Sequence, residues 1–153
     1  HGGARRGYGQ KRSYRLRHLF FNQKSLSRAC RLIGVLDRFP KLTVCLPHAG
    51  GTLPYLIGRL DRGQKVRREL RHMKRPPSAY LRRFTYDTIS HAPASLRYLI
   101  DLVGADRVMI GSDYCFDMGY ERPVEVVTRL AGLSRADQRR ILGGNAARLL
   151  GVR

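Results

Sequence analysis

Three polar residues stand at or just past the end of a short apolar run. His48 follows Leu42-Thr43-Val44-Cys45-Leu46, Asp87 lies within Phe84-Thr85-Tyr86-Asp87-Thr88, and Asp113 follows Arg107-Val108-Met109-Ile110-Gly111. If the three runs are parallel strands, their C-terminal ends share one rim, which is where active sites of parallel α/β folds lie. An imidazole and two carboxylates converging there suit a metal site or acid–base chemistry. The Ala49-Gly50-Gly51 turn behind His48 would let backbone approach a ligand closely. Each residue also has a plain structural alternative. His48 could be a turn histidine bonded to backbone, Asp87 a cap on the following loop, and Asp113 an ordinary turn aspartate. Gly50-Gly51 lacks the spacing and the lysine of a phosphate loop. His18, His72 and His91 sit in basic or loop surroundings and read as surface residues.

The elements that would position these residues alternate. Leu26, Ala29, Cys30, Ile33 and Leu36 fall near helical spacing over Ser25 to Phe39, and Pro40 stops that helix. The run ending at Leu46 reads as a buried strand. A helix is expected from about Leu53 to Arg59, then a long loop or exposed helix over 62–78 that ends hard at Pro76-Pro77. After the second strand, Pro93 opens a helix with Leu96, Leu99, Ile100 and Val103 on one face, and Gly104 closes it. Beyond the third strand, helices are expected over Pro123–Ala131 and Ser134–Leu142, the latter with a Ser134/Asp137 capping box. Gly143-Gly144 should break the chain, Asn145 should cap a last helix, and Leu149-Leu150 should anchor it. Strands alternating with helices make an α/β fold with parallel strands covered by helices. Three strands do not close a barrel, so further strands are expected from elsewhere.

Composition sets outer bounds. The chain has 153 residues, 42% apolar and 27% charged, a globular balance that is short for a closed (β/α)8 barrel. No stretch reaches the roughly 18 apolar residues of a membrane span, and no apolar leader follows the opening His1 to Arg6. Residues 1–24 form a basic segment without a clear assignment. The net charge is +19, and no acid precedes Asp37. Such a surface attracts polyanions nonspecifically and favours anionic substrates. Zinc fingers, RNP aromatics and heptads are absent, so no specific nucleic-acid role is read. Cys30, Cys45 and Cys115 form no CxxC pair, which gives an expectation of buried free thiols and a cytoplasmic setting.

Several longer motifs occur in a recognisable order. They are Gly34 to Leu42, Leu46-Pro47-His48-Ala49-Gly50-Gly51, Leu53 to Asp61, Tyr86-Asp87-Thr88, Gly111-Ser112-Asp113-Tyr114 and Ile141 to Gly151. Together they resemble the sixth, seventh and eighth strand regions and the closing helix of amidohydrolases of the aminocarboxymuconate-semialdehyde decarboxylase-like family. The resemblance implies the C-terminal portion of a metal-dependent (β/α)8 barrel, one incomplete domain over 1–153. It implies one divalent metal, zinc first and manganese second, with Asp113 matching the eighth-strand ligand. His48 matches the acid–base histidine. His1 stands where the fifth-strand histidine ligand would be, although Gly2 replaces the usual proline. The family's HxH strand and its substrate-binding arginine lie upstream of anything in this sequence, and Cys115-Phe116 stands where Pro-Phe is common. The expected reaction is decarboxylation of a small carboxylated substrate, with hydrolysis on the same fold or a truncated non-catalytic homologue as alternatives. No membrane or specific nucleic-acid partner is expected, and a homodimer is admitted. The chain alone is expected to be inactive.

Overall fold

The computed structural model describes residues 33–152. Expectations for His1, His18, Cys30 and the 1–24 segment fall outside them. Helix α1 is described over residues 33–38 and ends ahead of Pro40, as the proline requires. Three strands follow in one parallel sheet of order β1-β2-β3: β1 (Val44–Leu46), β2 (Phe84–Asp87) and β3 (Val108–Met109). Val44 pairs with Phe84 and Leu46 with Tyr86, while Tyr86 pairs with Val108 and Asp87 with Met109. The strands therefore run in register, and all three end at one rim.

Between them lie α2 (Ile57–Val66) and α3 (Pro93–Val103). Helix α3 begins with Pro93 at its first turn and ends at Gly104, whose φ of 87° is open to glycine without strain. Its buried face is Leu96, Leu99, Ile100 and Val103, the four residues read from the spacing. They pack with Phe84, Tyr86 and Val108 of the sheet and with Leu36, Leu60, Val127 and Ile141 in one core. Tyr80, almost fully buried, donates its hydroxyl to Asp37 Oδ2 at 2.7 Å and so ties α1 to the 3-10 turn Pro77–Arg83 that enters β2. Burial first, and the Asp37 carboxylate second, push the Tyr80 hydroxyl above the usual tyrosine range.

Several expectations need correction. The first strand was expected buried, but Cys45 is exposed and Val44 and Leu46 only half-buried. Strand β1 is an edge of the described sheet, so one flank lacks a neighbouring strand. The expectation of buried thiols fails with it, since Cys45 and Cys115 are both exposed. The helix expected at Leu53 starts later, at Ile57, because the chain turns through residues 51–56 first; it then runs as far as Val66, so the start of the segment read as a long loop or an exposed helix is helical. Strand β3 has two residues rather than five, because Ile110 leaves the sheet and donates its N–H to Ile141 O at 2.9 Å.

At the C-terminus are α4 (Pro123–Thr128), α5 (Arg135–Arg139) and α6 (Asn145–Leu150). Gly143-Gly144 does not break the chain. Residues Arg140–Gly144 form a π turn that joins α5 to α6, and Gly144 keeps helical angles. A π turn leaves carbonyls out of the i→i+4 ladder, and Ile141 O is the one that receives Ile110. Asn145 is no cap: it is buried, and its Nδ2 donates to Ala105 O and Val108 O, both at 2.7 Å. Leu149 and Leu150 are exposed rather than anchored. The Ser134 cap holds, with Ser134 Oγ accepting from Asp137 N at 3.1 Å. No helix of the described residues is long and apolar enough to cross a membrane.

Candidate active site at the C-terminal rim

The rim is built from the three loops that leave the strands. After β1, Pro47 stays extended and the next four residues, His48, Ala49, Gly50 and Gly51, all take positive φ (54°, 53°, 79° and 59°). For His48 and Ala49 this left-handed backbone is costly, roughly 1–2 kcal/mol per residue. Asp87, the last residue of β2, offsets that cost. Its Oδ2 accepts the His48 N–H at 2.9 Å and its Oδ1 accepts the Ala49 N–H at 2.7 Å. Oδ1 also accepts the Ile89 N–H at 2.9 Å. Successive N–H groups turned toward one anion form a small nest, here filled by a side chain of the protein itself.

Gly50 is required for a second reason. A Cβ there would lie 2.8 Å from two ring atoms of Tyr86. Tyr86 is fully buried and fixed by its hydroxyl, which donates to Leu81 O at 2.9 Å. The turn carrying His48 thus rests on an immobile ring. Further along, Tyr98 of α3 donates its hydroxyl to Pro54 O at 3.1 Å, which ties the far side of this loop to the helix.

The β2 and β3 loops are joined at Thr88. Its Oγ1 accepts the Gly111 N–H at 3.2 Å and contacts Gly111 O at 3.4 Å. A Cβ on Gly111 would meet Asp87 Cβ and Ile89 Cδ1 at 3.0 Å, so glycine lets the two strand ends close up. Asp113 follows two residues later with φ 58°, half-buried in its loop. Its carbonyl accepts the Phe116 N–H at 3.0 Å, and Tyr120 returns to donate its N–H to Ser112 O at 2.7 Å. Gly119 is the residue that permits this return, since a Cβ would lie within 3.0 Å of the Ser112, Asp113 and Phe116 carbonyls. Tyr120 also accepts the His91 N–H on its hydroxyl at 2.7 Å, with the two rings 4.5 Å apart.

His48, Asp87 and Asp113 therefore all follow the C-terminal ends of parallel strands, on one rim. Their parts differ. Asp87 spends its carboxylate on backbone N–H groups, the capping role that its position admitted from the start. His48 is exposed, and Asp113 lies on the loop beyond β3. Among the described residues, no group of three or more His, Cys, Asp and Glu side chains could hold a metal ion. The described part of the chain does not by itself make a metal site, and His1 lies outside it. Tyr120 and Gly119 are not marked by the sequence, and Thr88 reads there only as part of the second strand. Nothing in local periodicity marks a tyrosine that returns to brace a loop eight residues earlier.

The chain is similar to known amidohydrolases and decarboxylases. The amidohydrolase family model Amidohydro_2 matches residues 29–152. A 2-amino-3-carboxymuconate-6-semialdehyde decarboxylase of Dictyostelium discoideum is 35% identical over 127 residues, covering 80% of this chain and 35% of that protein. A second such decarboxylase, from Caenorhabditis elegans, is 32% identical over 77% of this chain and 30% of its own length. The chain thus spans about a third of the curated relatives that it matches. Among solved structures, 5-carboxyvanillate decarboxylase of Sphingomonas paucimobilis superposes with a TM-score of 0.71 at 32% identity, over 85% of this chain and 39% of the other. Dihydroxybenzoic acid decarboxylase of Polaromonas sp. JS666, solved with manganese and 2-nitroresorcinol, gives 0.70 at 27% identity, over 84% and 40%.

Proposed function

Because this chain belongs to the amidohydrolase family, matched over residues 29–152, we propose that it forms the rim of strands six to eight in a divalent-metal-dependent decarboxylase acting on a small carboxylated aromatic or aromatic-derived compound. The observation that carries the reading is the placement of His48 and Asp113 on one rim of a parallel sheet, the first on a turn braced by Asp87 of the neighbouring strand and the second on a loop braced by its own Phe116 and Tyr120. Decarboxylation is favoured over hydrolysis because the relatives and neighbours named above are decarboxylases. Asp113 is a ligand of the divalent ion in this reading. Manganese is favoured over zinc, since the Polaromonas neighbour was solved with manganese. The remaining ligands come from outside the described residues, His1 among the candidates.

The chain's own part is a proton transfer. When the carbon–carboxylate bond breaks, carbon dioxide leaves and the electron pair stays on the ring or chain carbon. His48, as the imidazolium, gives its Nδ1 or Nε2 proton to that carbon and is returned to the acid form by solvent. Its turn fixes the direction of that transfer, and a rigid turn suits a group that must meet one carbon atom. The basic surface favours entry of an anionic substrate. The test is His48→Ala in the complete barrel. Turnover of an aromatic carboxylate should fall by roughly 10²-fold or more, with metal content by elemental analysis unchanged. Equal loss of metal and activity would make His48 a ligand instead.

A further inference from the structure

The opposite end of the sheet carries a second built feature, at the starts of the strands. A cleft of about 440 Å³ opens there. It is lined by Lys41 before β1, Arg82 and Arg83 before β2, Arg107 before β3 and Arg148 of α6, with Asp106 as its acid. The fold itself holds most of these cations in place. Arg82 is anchored to Val103 O and grips Asp106 with Nη2 at 3.1 and 3.0 Å. Arg107 Nε lies 3.2 Å from the same carboxylate. Arg83 donates to Pro40 O at 2.9 Å, and Arg148 donates to Asp106 O at 2.9 Å and Asn145 Oδ1 at 3.1 Å. One carboxylate is shared by two guanidinium groups, and the other two are fixed on neutral oxygens. Each guanidinium has five N–H donors in a rigid fork, so groups anchored through one or two retain others. Four such groups and a lysine against one acid leave the cleft with a clear excess of positive charge, which favours an anion there.

We propose that this cleft is a binding site for a phosphoryl group, remote from the catalytic rim and independent of the decarboxylase reading. Several arginine forks and a lysine around one space match a multiply charged oxyanion better than a single carboxylate. The cleft joins the starts of all three strands to α6, so a bound anion would cross-link them and stabilise the fold.

The experiment is calorimetric and thermal titration of the full chain at constant ionic strength, with inorganic phosphate and glycerol phosphate as probes. One-to-one saturable binding with a rising Tm is expected. Tighter binding of inorganic phosphate would point to the free anion, and tighter binding of glycerol phosphate to a phosphorylated small molecule. Lys41→Gln and Arg83→Gln should each weaken binding roughly tenfold, the scale of one charge-assisted bond. Arg62→Gln with Lys65→Gln on α2, away from the cleft, should leave it unchanged, and circular dichroism confirms folding of each variant. Absence of saturation, or equal weakening by the α2 pair, would overturn the site and show general attraction to a basic surface. Neither result bears on His48 or Asp113.

Discussion

The carboxylate of Asp87 accepts the backbone N–H of His48 at 2.9 Å across 39 residues of sequence. With the Ala49 N–H at 2.7 Å on its other oxygen, it holds a turn whose backbone would otherwise relax. An aspartate at the end of β2 therefore fixes the backbone that carries a histidine just past the neighbouring β1. Asp87 is a positioning residue, and its variants should separate from those of His48.

Asp87→Asn keeps the shape but replaces one acceptor oxygen by an NH2 group. One of the bonds to His48, Ala49 and Ile89 must be lost, and the rest lose their charge assistance. Stability should drop by about 1–3 kcal/mol. Hydrogen exchange at the His48 and Ala49 amides should speed up while the core of α3 stays protected. Unchanged exchange at both amides would remove the positioning role.

Gly50→Ala should be more harmful than an ordinary glycine substitution. The φ of 79° strains any L side chain, and the new methyl would meet the Tyr86 ring at 2.8 Å. Tyr86 cannot yield without losing its bond to Leu81 O. A loss of about 2–4 kcal/mol is expected, strain and overpacking together. Denaturant unfolding measures it. Gly51→Ala is the internal control, because a Cβ there meets nothing within 4 Å and only the φ penalty of 59° remains.

Much of this rim was legible because parallel sheets put their chemistry at strand ends. The apolar runs before His48 and Asp113 and through Asp87 fix which end that is, and the proline and glycine of α3 fix its bounds. What escaped was whatever depends on non-local partners. The Gly143-Gly144 pair reads as a break, yet a π turn continues the helix because Ile141 O is drawn to Ile110 N. Asn145 reads as a cap, yet two carbonyls near β3 claim its amide. Cys45 reads as buried, yet it lies on an edge strand, and edge position is a property of the sheet and not of its sequence.

Ser134→Ala tests the α5 cap and carries a pH signature. Asp137 is held below the usual carboxylate range, first by the Ser134 hydroxyl at 2.8 Å and then by Arg140. A lowered folded-state pKa gives stability that is present above the unfolded value, about 3.9, and is lost as pH falls through the folded value. The variant should lose about 1 kcal/mol at neutral pH. The gap to the parent chain should narrow in acid below about pH 4, as protonation of Asp137 removes the same interaction. A gap that stays constant down to pH 2 would show that the carboxylate takes no part.

Asn145→Ala should be among the most damaging single changes in the C-terminal region. Its Nδ2 supplies both hydrogens to buried surroundings, one to Ala105 O and one to Val108 O, each at 2.7 Å. Those carbonyls flank the 3-10 turn Ala105–Arg107 and the start of β3, a two-residue strand with little ladder of its own. Truncation leaves two acceptors without donors in a region that water reaches poorly, at a combined cost of about 2–4 kcal/mol. Aspartate is the sharper probe, because it keeps the volume and the acceptor oxygen for Arg148 but turns the donor end into an acceptor: that oxygen of the carboxylate would face two carbonyl oxygens. Asn145→Asp should therefore destabilise at least as much as alanine at neutral pH. It should recover part of the loss in acid, where the protonated carboxyl can donate one bond again. Unfolding midpoints of both variants at pH 7 and pH 4.5 decide the matter. Parent-like stability of both variants at both pH values would mean that the Asn145 amide bonds contribute nothing to the fold.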